Sequence, residues 1–483
     1  MGLLGILVAL GLLIGFAYRG WSVLLLAPVV AILAAGWSGE PLLAHWTQTF
    51  MGSAARFIMQ FFPIFLLGAL FGKLMEDSGS VAAIASFMTE HLGPRRAVLS
   101  VVFAGALVTY GGVSLFVALF VLAPMAHALF HTAAIPKRLM PAAIALGTST
   151  FTMSALPGTP AIQNAIPMPF FGTTPFAAPG LGIIASAIML GFGLWWLARA
   201  EMAARGRGEG YEAHVASTKY PAEDLIVRER ATTSGTFDPA EIRQGQQCNA
   251  VPSIALAILP LAIVIGVNLL MSLFIFPRLD ASFLAEEAWG STSLSAVGGV
   301  WAVVTALAAA IVTLIAVNNR RLPSLRETMD AGANASALPA LSVASLVGFG
   351  AVVAALPAFA MVRDWVLSIG GGPLVSLAVA TNVLASLTGS ASGGLTIALD
   401  ALGGTYLRLA AEQGIDPALM HRVAVLSAGT LDSLPHNGAV VTLLAVCGAT
   451  HRESYFDIVM VAIVGAILAL VAVIGLGMLF GSF

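Results

Sequence analysis

Charged residues are scarce in this sequence. Only 10% of its 483 residues are Asp, Glu, Lys or Arg, and the net charge is -2, whereas soluble domains are about 25% charged. This deficit excludes an ordinary soluble protein, and the near-neutral balance gives no footprint for nucleic acid. The chain also has only two cysteines, Cys248 and Cys447, which exclude a disulfide framework or a cysteine-based metal cluster. We therefore predict neither a metal site nor a cofactor.

Sequence motifs for ATP use and for catalysis are missing as well. The sequence has no P-loop, and no HExxH or GxSxG motif stands on a suitable helix. A transport ATPase would need the first, and an intramembrane hydrolase would need a nucleophile with a base or a metal set. We predict that the protein is not an enzyme.

Apolar residues fill the chain instead. They make up 58% of it, with a mean hydropathy of +0.93, and apolar segments of bilayer-spanning length recur at 181–197, 254–274, 297–317 and 458–479. This pattern predicts an all-α polytopic membrane protein. Residues 2–16 are predicted to be the first span, because they lack the basic region and cleavage site of a signal peptide.

One polar interval, residues 201–249, divides the chain. It is rich in charge, Gly and Thr, and it follows Trp195 and Trp196, which suit a membrane edge. We predict a central loop here, on the cytoplasmic side because of its arginines. The loop separates a first membrane repeat, 1–200, from a second, 250–483.

The two halves resemble each other in sequence. "IPKRLMPAAIALGTSTFTMSALPGTPAIQN" from Ile135 aligns with "IDPALMHRVAVLSAGTLDSLPHNGAVVTLL" from Ile415, and a two-residue shift brings Leu156-Pro157 onto Leu434-Pro435. At the same spacing upstream, "TYGGVSLFVALF" from Thr109 aligns with "GSASGGLTIALD" from Gly389. Collinear matches at separate landmarks predict two structural repeats.

Each predicted repeat has two places where Gly, Ser, Thr and Pro interrupt a hydrophobic span: 110–114 and 154–160 in the first, 388–394 and 432–438 in the second. Irregular backbone survives at membrane depth only inside protein or beside a wet cavity. Paired interruptions at corresponding positions of two repeats indicate a transporter's binding site near the bilayer midplane.

The order of motifs, "YGGVSLFVALFVLAPMA", "LPGTPAIQ", "TGSASGGLTIAL" and "AGTLDSLPHNGAVV", resembles the gluconate permease (GntP) family within the wider ion transporter superfamily. The resemblance covers nearly the whole chain apart from the central loop. It implies proton-coupled uptake of a small organic acid across the bacterial inner membrane, by a homodimer with inverted repeats, re-entrant hairpins and an elevator mechanism. Gluconate transporters carry a His where this chain has Leu156, and S-H-V-N-D-S-G where it has "DSLPHNG", which weakens gluconate as the substrate.

The predicted site follows from the four interruptions. Asp432 and His436 are the titratable groups there and are predicted to carry the coupling proton, with His436 also able to donate to a carboxylate. The other predicted substrate-binding residues are glycines, at which the backbone can approach a ligand, and residues with polar side chains. They are Gly111, Gly112, Ser114, Ser154, Gly158, Thr159, Gln163, Asn164, Ser390, Ser392, Gly393, Thr430, Ser433 and Asn437. For each of them, helix packing or interhelical hydrogen bonding is the alternative role.

These observations predict a secondary active transporter in the lipid bilayer. The interruptions contain no Arg or Lys to clamp a second carboxylate, so a monocarboxylate such as 3-hydroxybutyrate is the predicted substrate, with gluconate or another sugar acid as the alternative. Protons are the predicted coupling ion because of Asp432 and His436. Sodium coupling and an anion channel are the alternatives that the sequence leaves open.

Overall fold

Helices account for all the regular structure in the part of the chain that the structure describes. The structure is a computed structural model, and it describes residues 2–18, 21–113, 115–211, 248, 251–435 and 437–483. Most of the predicted central loop, residues 212–247 and 249, lies outside these ranges, as does residue 250. In apolar surroundings a helix satisfies its own backbone polar groups, so a chain this apolar favours helices throughout.

Eleven helices lie in the described residues before the central loop. They are α1 Gly2–Tyr18, α2 Val23–Trp37, α3 Leu42–Asp77, α4 Ser80–Leu92, α5 Ala97–Tyr110, α6 Leu115–Thr132, α7 Met140–Thr148, α8 Phe151–Ser154, α9 Ile162–Ala165, α10 Pro167–Phe171 and α11 Pro179–Gly206. Helix α11 therefore continues six residues into the interval predicted as loop.

Nine helices follow in the rest of the described chain. They are α12 Ile254–Arg278, α13 Leu294–Arg321, α14 Leu325–Ala355, α15 Phe359–Leu367, α16 Gly372–Thr388, α17 Ala391–Glu412, α18 Pro417–Ala428, α19 Gly438–Val446 and α20 His451–Phe480. Short π-helical or 3₁₀ segments interrupt α3, α12, α13 and α20.

Six of the described helices are long and apolar enough to cross a membrane: α3, α11, α12, α13, α14 and α20. A seventh span results if α4 and the segment Pro94–Tyr110 count as one, although the chain bends by 101° between them. The four spans predicted at 181–197, 254–274, 297–317 and 458–479 all fall inside these helices, so the prediction of a polytopic helical membrane protein is confirmed.

Small residues allow the central helices to pack closely. A Cβ atom on Gly147 of α7 would lie 2.4 Å from the Val102 carbonyl oxygen of α5, and one on Gly394 of α17 would lie 2.3 Å from Ala385 Cα of α16. Gly332 brings α14 against Leu70 of α3 in the same way, at 2.9 Å. Close backbone approach is the usual means by which membrane helices associate.

A polar cluster joins the two halves near the start of the central loop. Arg138 donates from Nε to Glu209 (2.7 Å) and from Nη1 to Asp457 (2.7 Å), and the Trp196 indole donates to Asp457 (2.9 Å). Arg207 also pairs with Glu209, at 3.2 Å. We name these five residues the Arg138 cluster; it ties the end of α11 and the loop before α7 to α20.

Candidate functional site

The helices stop where the sequence predicts interruptions. Helix α5 ends at Tyr110 and α6 begins at Leu115, while α16 ends at Thr388 and α17 begins at Ala391. The second pair of interruptions lies between α8 and α9 and between α18 and α19. We refer to these four places as the breaks.

The two breaks of the first half touch each other. Gly112 has a φ of +97°, and a Cβ atom there would lie 2.8 Å from Cγ of Pro160. Both observations require glycine at this position. The Tyr110 hydroxyl donates to the Pro157 carbonyl at 2.8 Å. The first break is thus held directly against the second.

The two breaks of the second half are joined through Asn437. Its Nδ2 donates to the Gly389 carbonyl at 2.8 Å, and its Oδ1 accepts from the Ala439 amide at 2.7 Å. Asn437 is therefore the N-cap of α19 as well as a tie to the other break. Ser390 caps α17 in the same way, because its Oγ accepts from the Gly393 amide at 3.1 Å.

A cavity of about 310 Å³ lies where the four breaks meet. Its size is at the lower end of ordinary ligand pockets, roughly 300 Å³ and upward. All four breaks contribute lining residues, and so do the long helices α3 and α14. The halves meet beside it, since a Cβ atom on Gly429 would lie 3.0 Å from Cβ of Ser154.

Eight residues predicted from the sequence line this cavity: Gly112, Ser154, Gln163, Ser390, Ser392, Asp432, Ser433 and Asn437. The structure thus brings together residues that are more than 300 positions apart in the chain. Ser433 donates to Asp432 at 3.3 Å, and Asp432 is the one carboxylate among the described lining residues. No lysine or arginine belongs to that described lining.

Six other predicted residues lie away from the cavity lining. Gly111 and Gly393 pack against leucines, since Cβ atoms there would lie 2.1 Å from Leu261 and 2.5 Å from Leu346. The remaining four make hydrogen bonds or packing contacts inside the protein: Gly158 with Pro175, Thr159 with Ala161, Asn164 with Thr159 and Pro175, and Thr430 with Leu426. Ser114 and His436 lie outside the described residues.

Helix α14 contributes a wall that the sequence analysis missed. Ser336, Pro339 and Ser342 line the cavity from this helix, and Pro339 lacks the amide that would bond the Ala335 carbonyl. A proline with hydroxyls inside a long apolar helix was the available signal. Two further hydroxyls line the cavity: Thr388, the first residue of the break predicted at 388–394, and Ser149, which precedes the break at 154–160.

Two polar atoms in the cavity wall have no hydrogen-bond partner among the described residues. They are Gln163 Oε1 and Ser342 Oγ, and both atoms are buried. Buried polar groups are normally satisfied. The two atoms therefore have unused hydrogen-bonding capacity in the cavity wall.

Known proteins that resemble this chain are membrane transporters, in agreement with the helical fold and the cavity. The uncharacterized transporter YxjC of Bacillus subtilis (strain 168) is 40% identical over 484 residues, with 99% of each chain covered. Residues 1–170 match the model of the GntP family permeases.

Two solved transporters share the fold at low identity. MtrF of Neisseria gonorrhoeae, from a class of antimetabolite efflux pumps, has a TM-score of 0.53 and 15% identity, over 91% of this chain and 85% of its own. YdaH of Alcanivorax borkumensis has a TM-score of 0.51 and 16% identity, over 91% and 89%. The chain is a multi-pass membrane transporter. It belongs to the GntP permease family.

Proposed function

We propose that this protein is a proton-coupled symporter for a small monocarboxylate in the bacterial inner membrane. The observation that carries the proposal is the cavity itself. It gathers hydroxyl groups from three of the four breaks, with the side-chain amides of Gln163 and Asn437, around one carboxylate, and much of the remaining wall is apolar. A binding site built from helix breaks at membrane depth is the arrangement expected of a secondary carrier.

The chemistry of the lining favours a monocarboxylate. The Ser390 and Ser392 hydroxyls bond each other, so one of the two remains to donate to a carboxylate. Gln163 can accept from a hydroxyl group of the substrate. Valine, leucine and alanine side chains fill much of the remaining wall. A short hydroxy acid such as 3-hydroxybutyrate fits a site of this size and polarity, and gluconate or another sugar acid is the second choice.

Asp432 is the proposed carrier of the coupled proton. It is half-buried at the cavity, and among the described residues its neighbour within hydrogen-bond distance is the Ser433 hydroxyl rather than a cation. An intramembrane carboxylate without a cationic partner is costly when charged, which favours proton uptake as the anion binds. His436 is proposed to assist. A sodium-coupled carrier is the second candidate, because Ser149 and Thr388 add oxygen ligands to the wall.

The movement that exposes the site follows from the proposed repeats. We propose that 1–200 and 250–483 are inverted repeats, that the breaks move together in an elevator motion, and that the protein is a homodimer. The same order of a broken hairpin, a short helix, a second break and a long apolar helix in each half supports this proposal.

The test is uptake into proteoliposomes with and without an imposed pH gradient. We expect labelled 3-hydroxybutyrate to accumulate above its external concentration when the lumen is alkaline, and to be displaced by other monocarboxylates. A passive channel would equilibrate the solute without accumulation. Accumulation driven by a sodium gradient at equal pH would replace proton coupling with sodium coupling, and a preference for dicarboxylates would overturn the substrate class.

A further inference from the structure

Arg422 is an arginine in the protein core, in the middle of α18. Its side chain is fully buried, with 0% exposure. The guanidinium donates from Nε (3.1 Å) and Nη2 (2.6 Å) to the Ala177 carbonyl and from Nη1 (3.1 Å) to the Ala155 carbonyl. Arginine keeps its proton inside proteins. The core therefore contains one full positive charge.

This charge has no anionic partner among the described residues. Within the part of the chain that the structure describes, no carboxylate oxygen lies within 4.0 Å of Arg422. Arg422 interacts electrostatically with Tyr110 and with its neighbour His421. Buried charges are normally paired with an opposite charge. Backbone carbonyl dipoles solvate Arg422 instead, and no carboxylate of the described residues compensates its net charge.

His421 adds no negative charge, and its contacts fix its tautomer. Asn164 donates from Nδ2 to the Thr159 and Pro175 carbonyls, so its Oδ1 is the acceptor that faces His421 Nε2 at 3.1 Å. Nε2 then carries a hydrogen, and Nδ1 lies 2.6 Å from the Thr173 hydroxyl. In either protonation state the imidazole supplies no negative charge to offset Arg422.

The charge lies one layer of protein behind the cavity. Ala155, which accepts from Nη1, directly follows Ser154 in the cavity wall. Gly429, which packs on Ser154 and also lines the cavity, is seven residues after Arg422. Seven residues are about two turns of helix, or ~10 Å, on the same face.

We infer that Arg422 is the fixed positive charge that makes the cavity selective for an anion. It acts through the protein, without contacting the substrate, and it is a specificity-determining residue. The inference rests on the proposed function and adds to it a count of the charges on Arg422, Asp432, the bound anion and the coupled proton. Arg422 and ionised Asp432 sum to zero, so an entering monoanion leaves one negative charge, which one proton on Asp432 removes. One proton per anion is the ratio that keeps the site neutral.

The first experiment measures charge selectivity in purified protein. Binding of 3-hydroxybutyrate is compared with binding of its neutral isostere, 3-hydroxybutanamide, and the same comparison is repeated over a panel of acids of two to six carbons and their amides. We take the distance between the Arg422 guanidinium and a carboxylate bound in the cavity as roughly 10 Å and the effective dielectric constant as about 20. Removing the positive charge of Arg422 should then lower the ratio of acid affinity to amide affinity on the order of tenfold. Arg422→Gln should show that loss, and Arg422→Lys should keep most of the ratio.

A purely structural Arg422, which only ties the Ala155 and Ala177 carbonyls together, predicts a different result. Both substitutions would then lower thermal stability and leave the acid-to-amide ratio unchanged, which would overturn the inference while the proposed function stands. Arg138→Gln is the matched control, because that arginine is paired with Glu209 and Asp457. The acid-to-amide affinity ratio of this variant should equal that of the wild type. A wild type that binds no acid of the panel would overturn the proposed function together with the inference.

The second experiment needs no variant, so it holds even if Arg422→Gln fails to fold. One proton per monoanion makes uptake electroneutral. A membrane potential imposed with potassium and valinomycin should therefore leave pH-driven uptake of 3-hydroxybutyrate by the wild type unchanged. Uptake that an inside-negative potential drives would require more than one cation per anion and would overturn the charge balance. Pure exchange in the absence of any gradient should persist in either case.

Discussion

The two halves share the geometry of their breaks but differ in charge. In the alignment of the predicted repeats, Thr159 corresponds to Asn437, and both side chains accept from the amide two residues on, at 3.3 Å and 2.7 Å. At other aligned positions the halves diverge. The first half has Pro141-Ala142 where the second has His421-Arg422, and Thr152 where the second has Asp432.

This difference separates two requirements of a carrier. Turn-forming and capping residues are needed on both sides of the cavity, because each break must be supported by protein. Ionisable groups are expensive at membrane depth, and one set is sufficient to bind an anion and a proton. We therefore infer that the first half contributes turn-forming and capping residues to the cavity, whereas the second half contributes these and the ionisable groups as well. The following predictions test that division.

The largest effect is expected from the charge of the second half. Asp432→Asn should keep substrate exchange but lose accumulation driven by a pH gradient, by at least about tenfold, because the amide cannot take up the coupled proton. Proteoliposome uptake and counterflow measure the two activities separately. Asp364→Asn is the control, since that carboxylate is exposed and pairs with Arg363. Normal pH-driven accumulation by Asp432→Asn would assign the proton to another group.

The next effect concerns the shape of the first half. Gly112→Ala places a methyl group 2.8 Å from Pro160 on a backbone with a φ of +97°, and we expect destabilisation of about 1–3 kcal/mol together with slower transport. Gly191→Ala in α11 is the control, because a methyl group there meets no atom within 4 Å and alanine favours helix. Equal thermal unfolding midpoints for the two variants would show that the first-half breaks are not held as described.

The ties between breaks should give intermediate effects. Asn437→Ala removes a helix cap and the bond to Gly389, whereas Tyr110→Phe removes only the bond to Pro157. We expect the free energy of unfolding to fall by about 1–2 kcal/mol in Asn437→Ala and by about 1 kcal/mol in Tyr110→Phe. Thermal unfolding in detergent measures both losses. The initial uptake rate should fall more in Asn437→Ala, because the second half also holds Asp432; a larger fall in Tyr110→Phe would contradict the division between the halves.

Gln163 should separate binding from stability. Its Oε1 is buried without a hydrogen-bond partner among the described residues, so Gln163→Met removes an unsatisfied acceptor and should leave stability unchanged or raise it by up to about 1 kcal/mol. The KM for a hydroxy acid should rise severalfold, while the KM for the corresponding unsubstituted acid should hardly change. A drop in stability with an unchanged KM would make Gln163 a structural residue.

The smallest effect is expected at the Arg138 cluster. The hydrogen bond from Arg138 lowers the pKa of Glu209 below its usual value, so the stabilisation is present above the unfolded-state pKa and is lost as pH falls through the lower folded value. Glu209→Gln should lower the free energy of unfolding by about 1 kcal/mol at pH 7. This difference in stability from the wild type should shrink below pH 4.5, which is the ordinary pKa of a glutamate. Glu201→Gln, in a pair with Arg205 within α11, is the control and should change less.

The sequence was sufficient to locate the breaks, because Gly, Ser and Pro in an apolar span mark places where a helix cannot continue. It also placed Asp432 at the cavity. It could not show that α14 forms a wall, since Ser336 and Ser342 look like ordinary interhelical polar residues. Nor could it separate Gln163, which faces the cavity, from Asn164, which is used up in bonds to the backbone. That difference depends on contacts with Pro175 and His421, far away in the chain.

The Arg138 cluster has a consequence for how the polypeptide can be assembled. Arg207 and Glu209 lie at the start of the central interval and Asp457 lies after it, and Arg138, which comes before it, bonds Glu209 and Asp457. Two separately translated fragments, 1–211 and 248–483, would each carry one half of this contact as well as the surfaces of α11 and α20 that pack together. Co-expressed without a covalent link, they should find each other in the bilayer and reconstitute transport. Each fragment alone should be degraded, and Arg138→Gln should reduce the recovered complex more than it reduces the intact chain.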